Sequence, residues 1–262
     1  MNLNLTGKNA LVCGSTQGIG KAAALELALM GANVTLLARN KEALALAVGD
    51  LDVSKGQSHG FVCADFGHVD DLKQVVEGLV QEKNVIHILV NNTGGPAGGP
   101  AEKAKLEEFT DTFSKHLLCN HVLMQAVVEG MKKAQFGRIV NVISTSVKQP
   151  IKGLGVSNTI RAAVGNWSKT LSAELAPFGI TVNNVLPGAT ATGRLSTLIE
   201  AKSAKSGHSI AELEQEMVHE IPAGRFAEPA EIANAIAFLC SPAAAYINGI
   251  NVPVDGGRTG CL

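Results

Sequence analysis

Aromatic hydroxyls, indoles and paired cysteines are nearly missing from this chain of 262 residues. It holds one tyrosine and one tryptophan, and its five cysteines include no Cys-x-x-Cys pair. An odd number of scattered cysteines is typical of free thiols in a reducing compartment. We therefore expect neither a disulfide framework nor a bound metal.

An excess of charge of one sign is missing as well. The chain carries 22 basic and 23 acidic residues, which gives a net charge of −1. A nucleic-acid-binding protein needs a concentrated positive surface, and this balance does not favour one. A small molecule is therefore the expected partner, and nucleic acid is not.

Long hydrophobic runs without polar interruptions are also absent. The longest uncharged stretch, residues 233–254, contains asparagine, glycine and proline, which a membrane helix tolerates poorly. Residues 1–7 are polar and lack the basic-then-apolar pattern of a secretory signal. These features predict a cytoplasmic protein that does not contact a membrane.

The chain does contain short apolar runs rich in valine, isoleucine and leucine, with helical segments between them. The runs are continuous and do not alternate, which suits strands buried on both faces of a parallel sheet. Together with the helices they predict an α/β fold with a doubly wound parallel sheet. The predicted strands are 10–12, 34–37, 60–63, 86–90, 138–143, 181–186 and 251–254.

No linker or low-complexity stretch divides the chain, so a single domain over residues 1–262 is expected. The charged segment 192–220 departs from the strand–helix pattern. It is either a lid-like insertion beside the strand ends or a solvated helix pair. The helices predicted elsewhere are 21–30, 41–48, 69–83, 105–133, 157–176 and 229–239.

A glycine-rich turn joins the first predicted strand to the first predicted helix. Its spacing is G-x-x-x-G-x-G, in which glycines let the backbone approach a phosphate and the following helix offers free N–H groups. Taken alone, the turn is either a nucleotide-binding loop or a plain glycine-rich connection. Its residues, all candidate cofactor contacts, are Gly14, Ser15, Thr16, Gln17, Gly18, Ile19 and Gly20.

The end of the second strand indicates which dinucleotide such a loop would bind. An NAD site offers an acidic residue there for the ribose 2′-hydroxyl, whereas this chain has Arg39 followed by Asn40. A guanidinium suits a 2′-phosphate, so NADP(H) is preferred over NAD(H), unless Arg39 only lies in a solvated loop. Asn40 is a candidate cofactor contact and also the predicted N-cap of the next helix. Asp65, a further candidate contact, bonds the adenine amino group, starts a helix, or does both.

Five motifs together resemble the short-chain dehydrogenase/reductase superfamily, and the chain is similar to its 3-oxoacyl-(acyl-carrier-protein) reductases. The motifs are the turn 14–20, Asn-Asn-Thr-Gly at 91–94, Gly-Arg-Ile-Val-Asn-Val at 137–142, Pro-Gly at 187–188 with Thr192, and Val-Asp-Gly-Gly at 254–257. The resemblance covers essentially the whole chain.

The resemblance implies a single-domain Rossmann fold with seven parallel strands and a nicotinamide cofactor. It also implies a small-molecule or acyl-carrier-bound carbonyl substrate and a homodimer or homotetramer. In the motifs, Asn91 would support the adenosine side and Thr192 would bond the nicotinamide carboxamide. The further cofactor contacts implied are Thr93, Gly94, Arg161, Pro187 and Gly188.

The catalytic set of that family is altered here. Its members usually carry Tyr-x-x-x-Lys on a helix, a serine thirteen residues earlier and an asparagine in the preceding long helix. The serine is present as Ser144, but Ser157 stands at the tyrosine position, Arg161 at the lysine position and His116 at the asparagine position. The chain therefore resembles an atypical branch with serine and arginine in place of tyrosine and lysine.

These replacements remove the usual proton donor, because a serine hydroxyl is far less acidic than a phenol and arginine keeps its proton. Our hypothesis is that Ser144 and Arg161 polarise the carbonyl while His116, or water held by it, delivers the proton. His116 is alternatively a structural histidine. Two functions stay open: an NADPH-dependent oxidoreductase, or an NADP-binding protein without redox turnover that acts as a sensor or partner.

Overall fold

Seven parallel strands form one sheet at the centre of the molecule. The computed structural model describes residues 1–261. In these residues the strand order is β3-β2-β1-β4-β5-β6-β7, with every neighbouring pair parallel. All the predicted strands form. Their bounds are β1 Asn9–Cys13, β2 Asn33–Ala38, β3 Gly60–Cys63, β4 Ile88–Asn91, β5 Gly137–Val142, β6 Ile180–Pro187 and β7 Asn251–Val254.

Helices cover both faces of this sheet. Buried side chains of α1, α2 and α9 form one apolar cluster with the sheet, and those of α3, α5 and α6 form a second cluster on the other face. Burial on both faces explains why the strands read as continuous apolar runs. The helices are α1 Gly18–Leu29, α2 Lys41–Gly49, α3 Val69–Lys83, α4 Leu106–Phe113, α5 Cys119–Ala134, α6 Gly155–Leu175, α7 Gly193–Ser206, α8 Ile210–His219 and α9 Pro229–Cys240.

The helix predicted over 105–133 differs from a regular α-helix. A π-helical segment, Ser114–Leu118, joins α4 to α5. The N–H of Cys119 donates to the carbonyl of Ser114, which is the wide i→i+5 bond of a π turn. One extra residue is accommodated without breaking the helix, so the apolar pattern on either side does not reveal it. The segment carries His116.

The charged segment 192–220 forms α7 and α8. Both helices are largely exposed, and their buried side chains are Ile199 and Leu213. A capping box at Ser209 and Glu212 starts α8. Within residues 1–261, no helix is both long and apolar enough to cross a bilayer.

Four asparagines form a ladder across β4 to β7. They are Asn91, Asn141, Asn184 and Asn251, which stand opposite one another in the strand register. Each amide donates to the oxygen of the next, at 2.8, 3.0 and 2.7 Å along the row. Asn141 also donates to Ser168 of α6, at 3.2 Å. Because a one-residue slip would leave these buried groups unpaired, the ladder favours a single register.

Replacement of Asn141, one of the two inner asparagines of the row, tests whether the ladder stabilises the fold. Asn141→Leu keeps the size of the side chain but leaves the amide of Asn91 and the oxygen of Asn184 buried without a partner. We expect the free energy of unfolding to fall by about 2 to 5 kcal/mol, measured by urea denaturation. Asn166→Leu, the same change at an exposed position of α6, should leave it nearly unchanged. Equal stabilities of the two variants would contradict a structural role for the ladder.

Candidate cofactor and active site

The glycine turn connects β1 to α1 in a conformation that side chains would obstruct. Gly14 and Gly18 have positive φ angles of 58° and 56°. A Cβ on Gly14 would lie 2.5 Å from the carbonyl oxygen of Asn92, and one on Gly20 would collide with the carbonyl of Gly14. These close approaches require glycine. They leave a narrow backbone cradle at the carboxyl end of β1.

The first turn of α1 points free N–H groups into this cradle. Gln17 occupies the N-cap position and its side chain makes no capping hydrogen bond. Uncapped N–H groups together with the helix dipole favour an anion such as a pyrophosphate. Thr192 closes the cradle from α7, since a Cβ on Gly18 would lie 3.3 Å from its methyl carbon. The residues present therefore fit the phosphates of a dinucleotide.

The remaining residues of the turn have different environments. Ser15 is buried, and its hydroxyl accepts the N–H of Leu37 at 3.1 Å and lies 3.5 Å from the Leu37 carbonyl. The side chain of Ser15 therefore ties the turn to β2, and its contact with the cofactor stays a prediction. Ile19 packs against the core, and Thr16 is half-buried.

The residues predicted for the adenosine end lie together after β2 and β3. Nη1 of Arg39 is 3.7 Å from Oδ2 of Asp65, and the Arg39 side chain is 76% exposed. Its guanidinium is therefore accessible to a ligand. Asn40 caps α2 by accepting the N–H of Ala43 at 2.8 Å. Asp65 does not start a helix, because the N-cap of α3 is His68.

The two asparagines after Val90 point in opposite directions. Asn91 is buried in the ladder, where its amide bonds Asn141, so its side chain stabilises the sheet and its role on the adenosine side stays a prediction. Asn92 is the residue that meets the glycine turn, with its amide nitrogen 3.3 Å from the carbonyl of Cys13 and 3.2 Å from that of Gly14. Alternation of side chains along an extended segment is the signal that separates the two.

Loops after β6 complete this edge of the sheet. The N–H of Gly188, next to Pro187, donates to the carbonyl of Val254 at 2.9 Å. A Cβ on Gly188 would lie 2.7 Å from Cα of Asp255, so only glycine fits here. Thr192 caps α7 by accepting the N–H of Leu195 at 3.4 Å.

Arg161 is held between the ends of two strands. Its guanidinium donates to the carbonyl of Val142 at 2.8 Å and lies 3.5 Å from that of Thr93. Burial lowers the pKa of Arg161 to about 10, and the positive charge of Arg194 contributes to this shift. Arg161 is therefore still charged at neutral pH. It brings a fixed positive charge to the carboxyl ends of β4 and β5.

His116 reaches the same place from the π-helical segment. Its Nδ1 is 2.6 Å from the hydroxyl of Thr93, whose neighbour Gly94 is exposed. Burial lowers the pKa of His116 to about 2, and the charges of Arg161 and Lys115 act in the same direction. Its surroundings therefore disfavour the imidazolium form that would deliver a proton directly. The imidazole is neutral at physiological pH.

Both serines precede Arg161 along the chain. Ser144 follows β5, is half-buried and accepts the N–H of Ser146 at 3.1 Å. Ser157 is half-buried in the first turn of α6, one turn before Arg161. Tyr246 is fully exposed in the loop before β7. Ser144 and Ser157 thus add two half-buried hydroxyls to that of Thr93.

Sequence reasoning overlooked Arg194 of α7. Its guanidinium donates to the carbonyl of Pro96 and approaches the position of Arg161 beside Gly95. Only its place two residues after Thr192 hinted at this role.

Comparisons with known proteins agree with this architecture. Residues 14–259 match the family described as enoyl-(acyl carrier protein) reductase. The chain is 34% identical over 256 residues to the 3-oxoacyl-[acyl-carrier-protein] reductase FabG of Vibrio cholerae, covering 97% of this chain and 98% of that one. It is 30% identical over 254 residues to the NADPH-dependent reductase BacG of Bacillus subtilis, covering 97% and 98%.

A solved structure is similar over the full length. The L-sorbose reductase from Gluconobacter frateurii, complexed with NADPH and L-sorbose, superposes with a TM-score of 0.93 at 30% identity, covering 100% of both chains. The family match and these relatives each span nearly the whole chain, including the glycine turn and strands β2 to β7. The chain therefore belongs to the short-chain dehydrogenase/reductase superfamily.

Proposed function

We propose that the protein is an NADPH-dependent reductase of a carbonyl compound, with a proton donor other than tyrosine. The observation that carries the proposal is the buried guanidinium of Arg161, fixed by the carbonyls of Val142 and Thr93. In the proposed reaction its positive charge stabilises the negative charge that develops on a carbonyl oxygen. Ser144 follows the same strand and supplies a hydroxyl there.

NADP(H) is preferred over NAD(H) in this proposal because of Arg39. Its exposed guanidinium stands beside Asp65 at the end of β2, where the 2′-position of the adenosine ribose is read in this fold. A planar guanidinium matches a phosphate better than a hydroxyl. BacG, named an NADPH-dependent reductase, and the sorbose reductase complexed with NADPH support the same choice.

When bound, the cofactor supplies a hydride to the carbonyl carbon. The chain then has to orient the substrate and stabilise the oxygen that becomes negative. Ser144 donates a hydrogen bond to that oxygen, and Arg161 stabilises its charge. Ser157 stands on the same helix face as Arg161, four residues earlier, and offers a second hydroxyl.

The proton for the oxygen comes from water in this proposal. Arg161 does not release its proton, and the neutral imidazole of His116 lacks the second ring proton that an imidazolium would donate. His116 instead holds Thr93 in place and, as a hydrogen-bonding group, orients a water molecule. His116 thus stays in the proposed site as the group that orients the water, and it does not act as an imidazolium acid.

A second candidate function is an NADP-binding protein without redox turnover, acting as a sensor or partner. The observation in its favour is that the tyrosine is replaced while the cradle stays complete. Ser157 stands at that position, and Tyr246 is exposed far along the chain. Measurements of NADPH binding and of NADPH oxidation on the same sample separate the two functions.

The proposal includes further features. The pair α7 and α8 acts as a lid, since Arg194 connects α7 to the loop at Pro96.

The protein is a cytoplasmic homodimer or homotetramer in this proposal. Exposed Leu106, Phe113 and Leu118 leave an apolar face on α4 and the π-helical segment, which a second subunit would cover. Its substrate is a small or acyl-carrier-bound carbonyl compound.

Removal of Arg39 tests the cofactor preference. Arg39→Ala is expected to raise the Kd of NADPH about tenfold to a hundredfold, because a hydrogen-bonded charge pair with the 2′-phosphate is lost. Binding of NADH should not change. Nicotinamide fluorescence titration measures both, and Lys133→Ala, which removes an exposed charge from α5, serves as the control. Equal weakening of NADPH and NADH would contradict the role of Arg39.

Removal of the Ser144 hydroxyl tests turnover. Ser144→Ala is expected to lower kcat about a hundredfold to a thousandfold while the Kd of NADPH stays the same, since one donor to the developing oxyanion is lost. A panel of ketones and aldehydes, followed by NADPH absorbance, gives the rates. Ser146→Ala removes a neighbouring hydroxyl that has no hydrogen-bond partner within residues 1–261 and should keep full activity. Wild-type rates no higher than those of Ser144→Ala on every substrate would exclude the reductase.

The pH dependence tests the state of His116. Because the pKa of His116 is lowered to about 2, kcat should show no ionisation of this residue between about pH 5.5 and 8.5. His116→Gln preserves a neutral hydrogen-bonding group and should keep the shape of the profile. A wild-type step near pH 6.5 that disappears in His116→Gln would instead assign the proton to an imidazolium.

A further inference from the structure

Two guanidinium groups meet around Gly95, in the loop that follows β4. Nη2 of Arg161 and Nη2 of Arg194 each lie 3.8 Å from the point where a Cβ on Gly95 would stand. The two nitrogens are therefore separated by at most twice that distance. One carboxylate spans such a gap, with a hydrogen bond of about 2.8 Å from each of its oxygens.

Neither guanidinium has a carboxylate partner in the part of the chain that the structure describes. Within residues 1–261, no Asp or Glu oxygen lies within 4.0 Å of Arg161 or Arg194. Arg161 is 8% exposed, although buried arginines are normally paired. Its two hydrogen bonds, to Val142 and Thr93, use two of its five N–H donors. The other donors are available to a ligand.

The local field adds to this positive charge. Arg194 is the second residue of α7, and the first turn of that helix contains no acidic residue. A cation is unfavourable at this end of a helix, where the macrodipole is positive. The two arginines therefore place two positive charges around Gly95, and no acidic residue in the first turn of α7 offsets them. Such an arrangement costs free energy unless an anion neutralises it.

The carbonyl of Pro96 holds Arg194 in this position, so the arrangement does not depend on a freely moving side chain. Gly95 keeps the space between the guanidiniums open. Its φ angle is not positive, and the nearest atoms to an added Cβ are at ordinary van der Waals distance. An alanine would fit there without strain and would fill the space that a ligand needs.

We infer that Arg161 and Arg194 bind the carboxylate of the substrate, so that the protein acts on oxo acids in preference to neutral ketones. The assignment of this anion site to the substrate rests on the proposed carbonyl reduction. The anion lies between the lid helix α7 and the ends of β4 and β5, beside Ser144. Binding it neutralises Arg194 and so stabilises the position of α7 over the site.

Matched acids and esters test this inference. Pyruvate, acetoacetate and levulinate are compared with their methyl esters, which keep the carbonyl and lose the charge. Wild-type kcat/KM is expected to favour the acids. Arg194→Gln, which retains a donor for Pro96, should lower kcat/KM for the acids about tenfold to a hundredfold more than for their esters, so that the preference falls by that factor. Lys205→Gln, the same charge loss at an exposed position of α7, should behave as wild type.

Gly95→Ala provides a second variant that removes no charge. It should lower the preference for acids in the same way while the Kd of NADPH is unchanged. Equal rates for acids and esters in the wild type would overturn the inference. It would also be overturned if Arg194→Gln weakened NADPH binding and left the preference for acids intact, since the arginines would then serve the phosphates of the cofactor.

Calorimetry separates this inference from the proposed function. Acetoacetate and its methyl ester are titrated into the NADP⁺ complex, which cannot reduce them. Binding of the acid alone, lost in Arg194→Gln and Gly95→Ala, supports the anion site even if no compound in the panel is reduced. Turnover of ketones without any binding preference for the acid supports the reductase and overturns the anion site.

Discussion

A row of amide hydrogen bonds inside the sheet determines where the loops of the site begin. The asparagines of β4 to β7 bond one another in register, and α6 joins the row through Ser168. In a low-dielectric interior each of these bonds is costly to leave unmade, so the strands cannot slide singly. The loops that carry Asn92, Ser144 and Thr192 therefore start from fixed positions.

The shape of the glycine turn also depends on this alignment of the strands. Asn92 directly follows the ladder residue of β4, and its amide and carbonyl pack against Gly14. Because the contact leaves no room for a Cβ, a small shift of β4 would close or widen the cradle. The cradle at the start of α1 and the position of Arg161 are thus two results of one strand alignment.

The fold could be predicted closely because burial on both faces of a parallel sheet leaves a direct pattern of continuous apolar runs. Helix Val69–Lys83 and strands Gly60–Cys63 and Asn251–Val254 have the predicted bounds. The site was less accessible, since its properties arise from contacts distant in sequence. The pKa of His116 follows from burial and from Arg161, and the orientation of Asn91 follows from its partners on β5. Arg194 acquires its meaning only from the fold, which brings it to Pro96.

The π-helical segment between α4 and α5 has a consequence for how this protein can change. The π turn contains one residue more than an α-helical turn. Because one residue corresponds to a rotation of about 100°, the side chains before and after the segment are rotated by that angle relative to one continuous α-helix. Cys119, Leu123 and Met131 keep their places in the core whichever residue faces the site from the other half. The packing of the half after Leu118 is therefore independent of the turn that carries His116, so a substitution in that turn need not disturb the core.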